Sequence, residues 1–81
     1  MSQNDQLLVK KYKSKWYVFS VMAESWSTTN TLSVKKAIKS FKTEAEAFVF
    51  AYTYDQKRDY PSEYGVDSRL IKDGADIKIV R

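Results

Sequence analysis

The sequence predicts an α+β domain, an antiparallel sheet of about four to five strands with one main helix packed on one face. Three observations lead there. The run Trp16–Ala23 (WYVFSVMA) is β-branched and aromatic, as a strand should be. Thr43-Glu44-Ala45-Glu46 has the spacing of a helix capping box. Asp73-Gly74 stands between two alternating runs, as the turn of a two-residue hairpin does. The 81 residues suffice for a single small domain over 1–81, because a second core would need about as many residues again.

Each element follows in order. Residues 1–6 are polar at the start and are expected to be disordered. Leu7–Tyr12 is a short apolar-to-basic strand, and Lys13-Ser14-Lys15 turns the chain. The strand from Trp16 is apolar on both alternating sets: Trp16, Val18 and Met22 on one, Tyr17, Phe19 and Val21 on the other. Such a strand is central, or has a helix on one side and a ligand or partner on the other. Glu24–Asn30 is a polar connection that carries Trp26. Thr31–Phe41 has two readings. As a strand it places Leu32, Val34 and Ile38 on one face; as a helix capped by Ser33 it places Val34, Ile38 and Phe41 on one stripe. The start reads as strand, and residues 33–42 stay open between helix and strand. Lys35 and Lys39 face solvent either way.

From Thr43 onward the capping box, with Glu44 and Glu46 at the positive end of the dipole, starts the main helix. Ala45, Phe48, Val49 and Tyr52 are expected to form its buried stripe, and Lys57 and Arg58 suit its C-terminus. Phe48, Phe50, Tyr52 and Tyr54 also alternate as in a strand, but the cap and the length favour helix. Pro61 ends the element, and Tyr60–Gly65 is a loop. Val66–Lys72 and Ala75–Val80 then flank the Asp73-Gly74 turn, with Ile77 and Ile79 buried against a wet Asp76 and Lys78. With a single helix, the second face of the sheet is expected to be wet or to meet a partner.

Composition narrows the function. Apolar residues are 43% and aromatics 15%, against 30% charged, which is globular and too aromatic for a disordered tail. The chain has no cysteine and no histidine. Disulfides, thiolate nucleophiles, the usual general base and the commonest metal ligands are thereby removed. Gly65 and Gly74, the only glycines, serve turns and not a phosphate loop. Ser25, Ser27 and Ser33 have no base to activate them. Glu44/Glu46 is explained by capping, and Asp73/Asp76 by the turn. The chain therefore reads as non-catalytic, with no cofactor and no metal site. Its longest apolar stretch, Ala47–Tyr52, is far below the ~20 residues of a membrane span. Met1–Asp5 has no signal-peptide pattern. A cytoplasmic location without membrane contact is the expectation.

Charge is segregated. The net charge is +4, yet residues 1–42 carry eight lysines against Asp5 and Glu24, while residues 43–81 carry six bases against eight acids. The lysines fall in two clusters, Lys10-Lys11-Tyr12-Lys13-Ser14-Lys15 and Lys35-Lys36-Ala37-Ile38-Lys39-Ser40-Phe41-Lys42. Segregated charge sets up a field. Lysines can also merely solvate strands and blunt a sheet edge. Interleaved with aromatics, they suit nucleic acid: lysines meet phosphates while rings stack on bases. The nucleic-acid-binding candidates are Lys13, Lys15, Lys35, Lys36, Lys39 and Lys42.

Lys15-Trp16-Tyr17-Val18, a second basic strand, and Ser40-Phe41-Lys42-Thr43-Glu44-Ala45-Glu46-Ala47 together resemble the arm-type DNA-binding domain of phage tyrosine recombinases, over residues 12–54. The segment also resembles small bacterial domains of unknown function with a tryptophan strand and a threonine-capped helix. The first resemblance implies that Lys13, Lys15, Lys35, Lys36 and Lys39 line a sheet face laid into the DNA major groove. Arginine is absent from these strands, which points to phosphate contact more than base readout.

Two functions fit these residues. One is a small non-catalytic nucleic-acid-binding module, with DNA as partner, using a lysine-rich sheet face. The alternative is a phage- or mobile-element-encoded protein-interaction module, an inhibitor or adaptor of a host protein, anchored by Trp26, Tyr17, Tyr60 and Tyr64. A homodimer through the uncovered sheet face or a free edge fits either.

Overall fold

A computed structural model of the chain describes residues 4–25, 28–62, 65–67 and 77–81. Strand β1 (Asp5–Tyr12) and strand β2 (Lys15–Met22) form a hairpin, and a 3-10 turn follows at Ala23–Ser25. Next come β3 (Thr31–Ser33), a second 3-10 turn (Val34–Lys36), β4 (Lys39–Phe41), helix α1 (Glu44–Lys57), β5 (Val66–Asp67) and β6 (Lys78–Val80). The fold is α+β. The main sheet has the order β4-β2-β1-β5, and β3 and β6 make a second, two-stranded sheet. Strands β1, β2 and β4 are antiparallel, whereas β5 joins β1 in parallel and β6 joins β3 in parallel.

The stretch read as open between helix and strand contains both. Ser33 Oγ accepts from the Lys35 amide at 3.2 Å, so Ser33 does cap, but the helix it starts is one 3-10 turn before β4. Asp5 and Gln6, expected to be disordered, are instead strand residues buried to 0% and 1% exposure. They are held because β1 is central, with β2 on one side and β5 on the other. The Asp73-Gly74 turn lies outside the described residues. Its flanking runs do not pair with each other where they are described: Val66–Asp67 pairs with β1 and Lys78–Val80 with β3.

The sheet is covered on both faces. On one, Val9 and Val18 are buried under Ala47 and Ala51 of α1, ringed by Trp16, Ile38, Phe41, Phe48, Phe50 and Val66. On the other, Leu8, Phe19 and Val21 meet Leu32 of β3, Ile79 of β6, and Tyr17, Ala37 and Ile77. The second face was expected to be wet or to await a partner; β3 and β6 cover it instead. Burying each of the large side chains Leu7, Leu8, Val9, Val18 and Phe19 is worth roughly 1.5–3 kcal/mol.

The buried stripe of α1 also differs from expectation. Ala47 and Ala51 face the sheet with Phe50 and Tyr54 beside them, while Ala45, Val49 and Tyr52 are exposed and Phe48 is half-buried. Two alanines one turn apart let the helix backbone approach closely, and the aromatic rings then fill the flanks. The N-cap is as expected in one half: Thr43 Oγ1 accepts from the Glu46 amide at 3.2 Å. The Glu46 carboxylate, however, accepts from the Thr43 hydroxyl at 2.9 Å and not from the Thr43 amide. No helix among the described residues is long and apolar enough to cross a membrane.

A polar network closes the end of the sheet where α1 finishes. The fully buried Asp5 carboxylate accepts a forked pair from Arg58, Nη1 at 3.1 Å and Nη2 at 3.2 Å, and a third bond from Ser20 Oγ at 2.5 Å. Arg58 Nη2 also donates to Asp55 at 2.9 Å, and Asp55 accepts from the Ser62 amide at 2.7 Å. Ser62 Oγ returns to the Asp5 carbonyl at 2.6 Å. Burial alone would lower the pKa of Arg58, but hydrogen bonds to Asp5 and Asp55 outweigh it and hold the guanidinium above its usual value.

Candidate nucleic-acid interface

The hairpin positions the first lysine cluster. Tyr12 pairs with Lys15, which leaves Lys13 and Ser14 as a two-residue turn. Lys13 takes φ 57°, a left-handed conformation that glycine adopts far more easily. The turn reverses the chain, so lysines that share sequence parity part company. Lys11 lies on the helix side opposite Trp16, while Lys15 lies opposite Tyr12 on the other side.

Edge strand β4 brings in the second cluster. Trp16 pairs with Phe41 and Val18 with Lys39, so Lys42 follows directly beside the hairpin end. The Ile38 amide donates to the Val18 carbonyl at 2.7 Å, which holds the preceding turn with Lys35 and Lys36 outside the same edge. Lys11, Lys13, Lys15, Lys35, Lys36, Lys39 and Lys42 are all exposed. Among the described residues none of these seven lysines is in an ion pair.

Three of the lysines rest on rings. Lys11 Nζ stands 5.9 Å from the Trp16 ring centroid, Lys13 Nζ 5.5 Å from Tyr12, and Lys39 Nζ 5.7 Å from Phe41 and 5.6 Å from Phe50. Phe41 and Phe50 are themselves 5.2 Å apart. An exposed cation–π contact is worth about 0.5–1 kcal/mol. It holds a long side chain that otherwise carries about 2 kcal/mol of rotamer entropy, with its ammonium still in water.

All six lysines named from the sequence are therefore exposed, but they do not share a sheet face. Lys35 and Lys36 sit on a 3-10 turn, and the helix-free face is covered by β3 and β6 across Leu8, Phe19 and Val21. What the lysines line is a hairpin tip and an edge. Lys11, absent from the six, joins them; the signal for it was its place inside the first cluster. Compared with known protein families, curated proteins and solved structures, the chain matches none.

The aromatic candidates fare differently. Tyr17 is half-buried, packed on the Leu8–Phe19–Val21 cluster with its ring 6.4 Å from both Tyr12 and Phe19, so its body is spent on packing. Tyr60 is 50% exposed. Trp26 and Tyr64 lie outside the described residues.

Proposed function

We propose that this protein is a small non-catalytic nucleic-acid-binding module that meets the DNA backbone along the hairpin tip and the β4 edge. The observation that carries the reading is the row of seven exposed lysines with no ion-pair partner among the described residues. A row of uncompensated ammonium groups attracts a polyanion and gains from counterion release. Lys13 adds to this. A charged side chain stands where glycine would relieve backbone strain, and strain of this kind collects at functional positions. Lysine in place of arginine suits phosphate contact with little base readout.

Fluorescence anisotropy against mixed-sequence duplex and single-stranded DNA at two salt concentrations tests the reading. Micromolar binding should collapse as salt rises, with a slope near −5 in log K against log salt for about six phosphate contacts on duplex. Lys35→Ala/Lys39→Ala should weaken it. Absence of binding at low salt overturns the proposal and turns the search to a protein partner, with Trp26→Ala as the control variant.

A further inference from the structure

On the helix side of the sheet, lysines stand over a row of rings. Strand register sets Trp16 of β2 opposite Phe41 of β4, on the face that α1 covers. Phe41 lies 5.2 Å from Phe50 of α1, and Phe50 stacks on Tyr54 at 5.8 Å. Because β4 is an edge strand, the row follows the seam between that edge and the helix. Trp16, Phe41 and Phe50 pack on the core beneath α1 and stay half-exposed. A cation stands over every ring. Arg58 lies over Tyr54 at 5.4 Å, but its guanidinium is held by Asp5 and Asp55, so this end of the row is closed. Lys11 over Trp16, and Lys39 over both Phe41 and Phe50, are exposed and outside any ion pair among the described residues.

We infer, on the reading of the lysine edge as a nucleic-acid contact, that the form bound best is a single strand whose bases stack on these rings. One platform is Trp16, and the other is shared by Phe41 and Phe50. In a duplex, both faces of each internal base are taken by its neighbours in the stack, so surface rings reach only the ends. An unpaired strand presents a π-face at every base, and aromatic side chains beside a basic track hold it without sequence preference. Each platform has its own lysine. When a base settles on the ring, the ammonium gives up an exposed cation–π contact, which is weaker than a stacked base, and moves onto the adjoining phosphate. Charge favours the same occupant. Residues 11–16 and 34–42 contain no acid. Glu46, one turn before Phe50, is the acid on this flank of α1, and its carboxylate accepts from the Thr43 hydroxyl at 2.9 Å. Lys57, about two turns beyond Phe50 on the same flank, and Lys42, next to Phe41 in sequence, outweigh it.

Fluorescence anisotropy at matched salt, with an oligothymidylate of about 20 nucleotides and a mixed-sequence duplex of about the same length, tests this. The single strand should bind at least about fivefold tighter, and should stay bound at a salt concentration that releases the duplex, because stacking is not screened. Trp16→Leu and Phe50→Leu keep an apolar side chain and lose the π-face. Each should lower the ratio of single-strand to duplex affinity by about fivefold or more, with far-UV circular dichroism unchanged. Tyr52→Leu, on the opposite flank of α1, should leave the ratio as it is. A second readout keeps the rings in place. In Trp26→Phe the remaining tryptophan is Trp16, and its emission should be quenched by oligothymidylate and not by inorganic polyphosphate, which offers phosphates without bases. Equal affinity for the two nucleic acids, a ratio unmoved by the leucine variants, or an emission that responds equally to polyphosphate overturns the inference and leaves the lysine edge as a phosphate contact. Absence of binding to either nucleic acid at low salt overturns the lysine-edge reading and this inference with it.

Discussion

Strands β1 and β2 run between two ends of the molecule that use charge in opposite ways. At the Asp5–Met22 end, Asp5 is fully buried and tied to Arg58, Asp55, Ser20 and Ser62 through a continuous set of hydrogen bonds. At the Tyr12–Lys15 end, exposed lysines stand on the turn and along β4, without ion pairs among the described residues and on a strained φ at Lys13. Charge at the first end locks the C-terminus of α1 and the following loop onto the start of β1. Charge at the second end adds little to folding, since exposed charges rarely do. The difference separates residues that make the fold from residues left available to act.

The comparison breaks first, and hardest, at Arg58. Arg58→Ala leaves the Asp5 carboxylate buried with Ser20 as its remaining side-chain partner, and should lower stability by about 3–5 kcal/mol in urea unfolding. Whatever fraction stays folded should bind DNA as before. Next comes Ala51→Leu, which forces bulk between α1 and Val9 and Val18; a loss of about 1–3 kcal/mol is expected, again without a change in salt dependence.

The opposite end should invert that pattern. Lys11→Ala/Lys13→Ala/Lys39→Ala should shift stability within about 1 kcal/mol, as surface changes do, apart from the lost ring contacts. The same variant should flatten the salt slope by about one per lost phosphate contact. The smallest effect sharpens the contrast most. Lys13→Gly relieves a left-handed conformation that costs a non-glycine residue about 1–2 kcal/mol, against about 0.4–1 kcal/mol of added freedom in the unfolded chain. A gain of about 0.5 kcal/mol in denaturant unfolding together with weaker DNA binding would show stability given up for charge at that position.

Much of this was legible because it is local. Trp16–Ala23 announces a central strand, Thr43 and Glu46 announce a helix start, and the two lysine clusters announce an electropositive edge. What was not legible depends on residues far apart in the chain. Nothing near Asp5 marks it as the partner of Arg58, and a lone polar residue at the start of a chain reads as solvated. The spacing of Ala45, Phe48, Val49 and Tyr52 reads as a core stripe, and nothing local sets the Ala47/Ala51 pair above it. Close helix–sheet approach prefers small residues, so the alanines sit over the sheet with Phe48 and Phe50 packed at their flanks, while Val49 and Tyr52 are exposed. The cover on the second face was hidden because Leu32 and Ile79 sit in three-residue strands whose parallel partners lie at the far end of the sequence.

The central claim is that the two ends of the sheet divide the work between folding and nucleic-acid contact. An amide chemical-shift titration of the labelled protein with a short mixed-sequence duplex tests it most directly. The account predicts shifts concentrated at residues 11–16 and 35–42, shrinking as salt is added, with the amides of Asp5, Asp55, Arg58 and Ser62 unmoved. Shifts centred on the Asp5–Arg58 end, or no shifts at low salt, would contradict it.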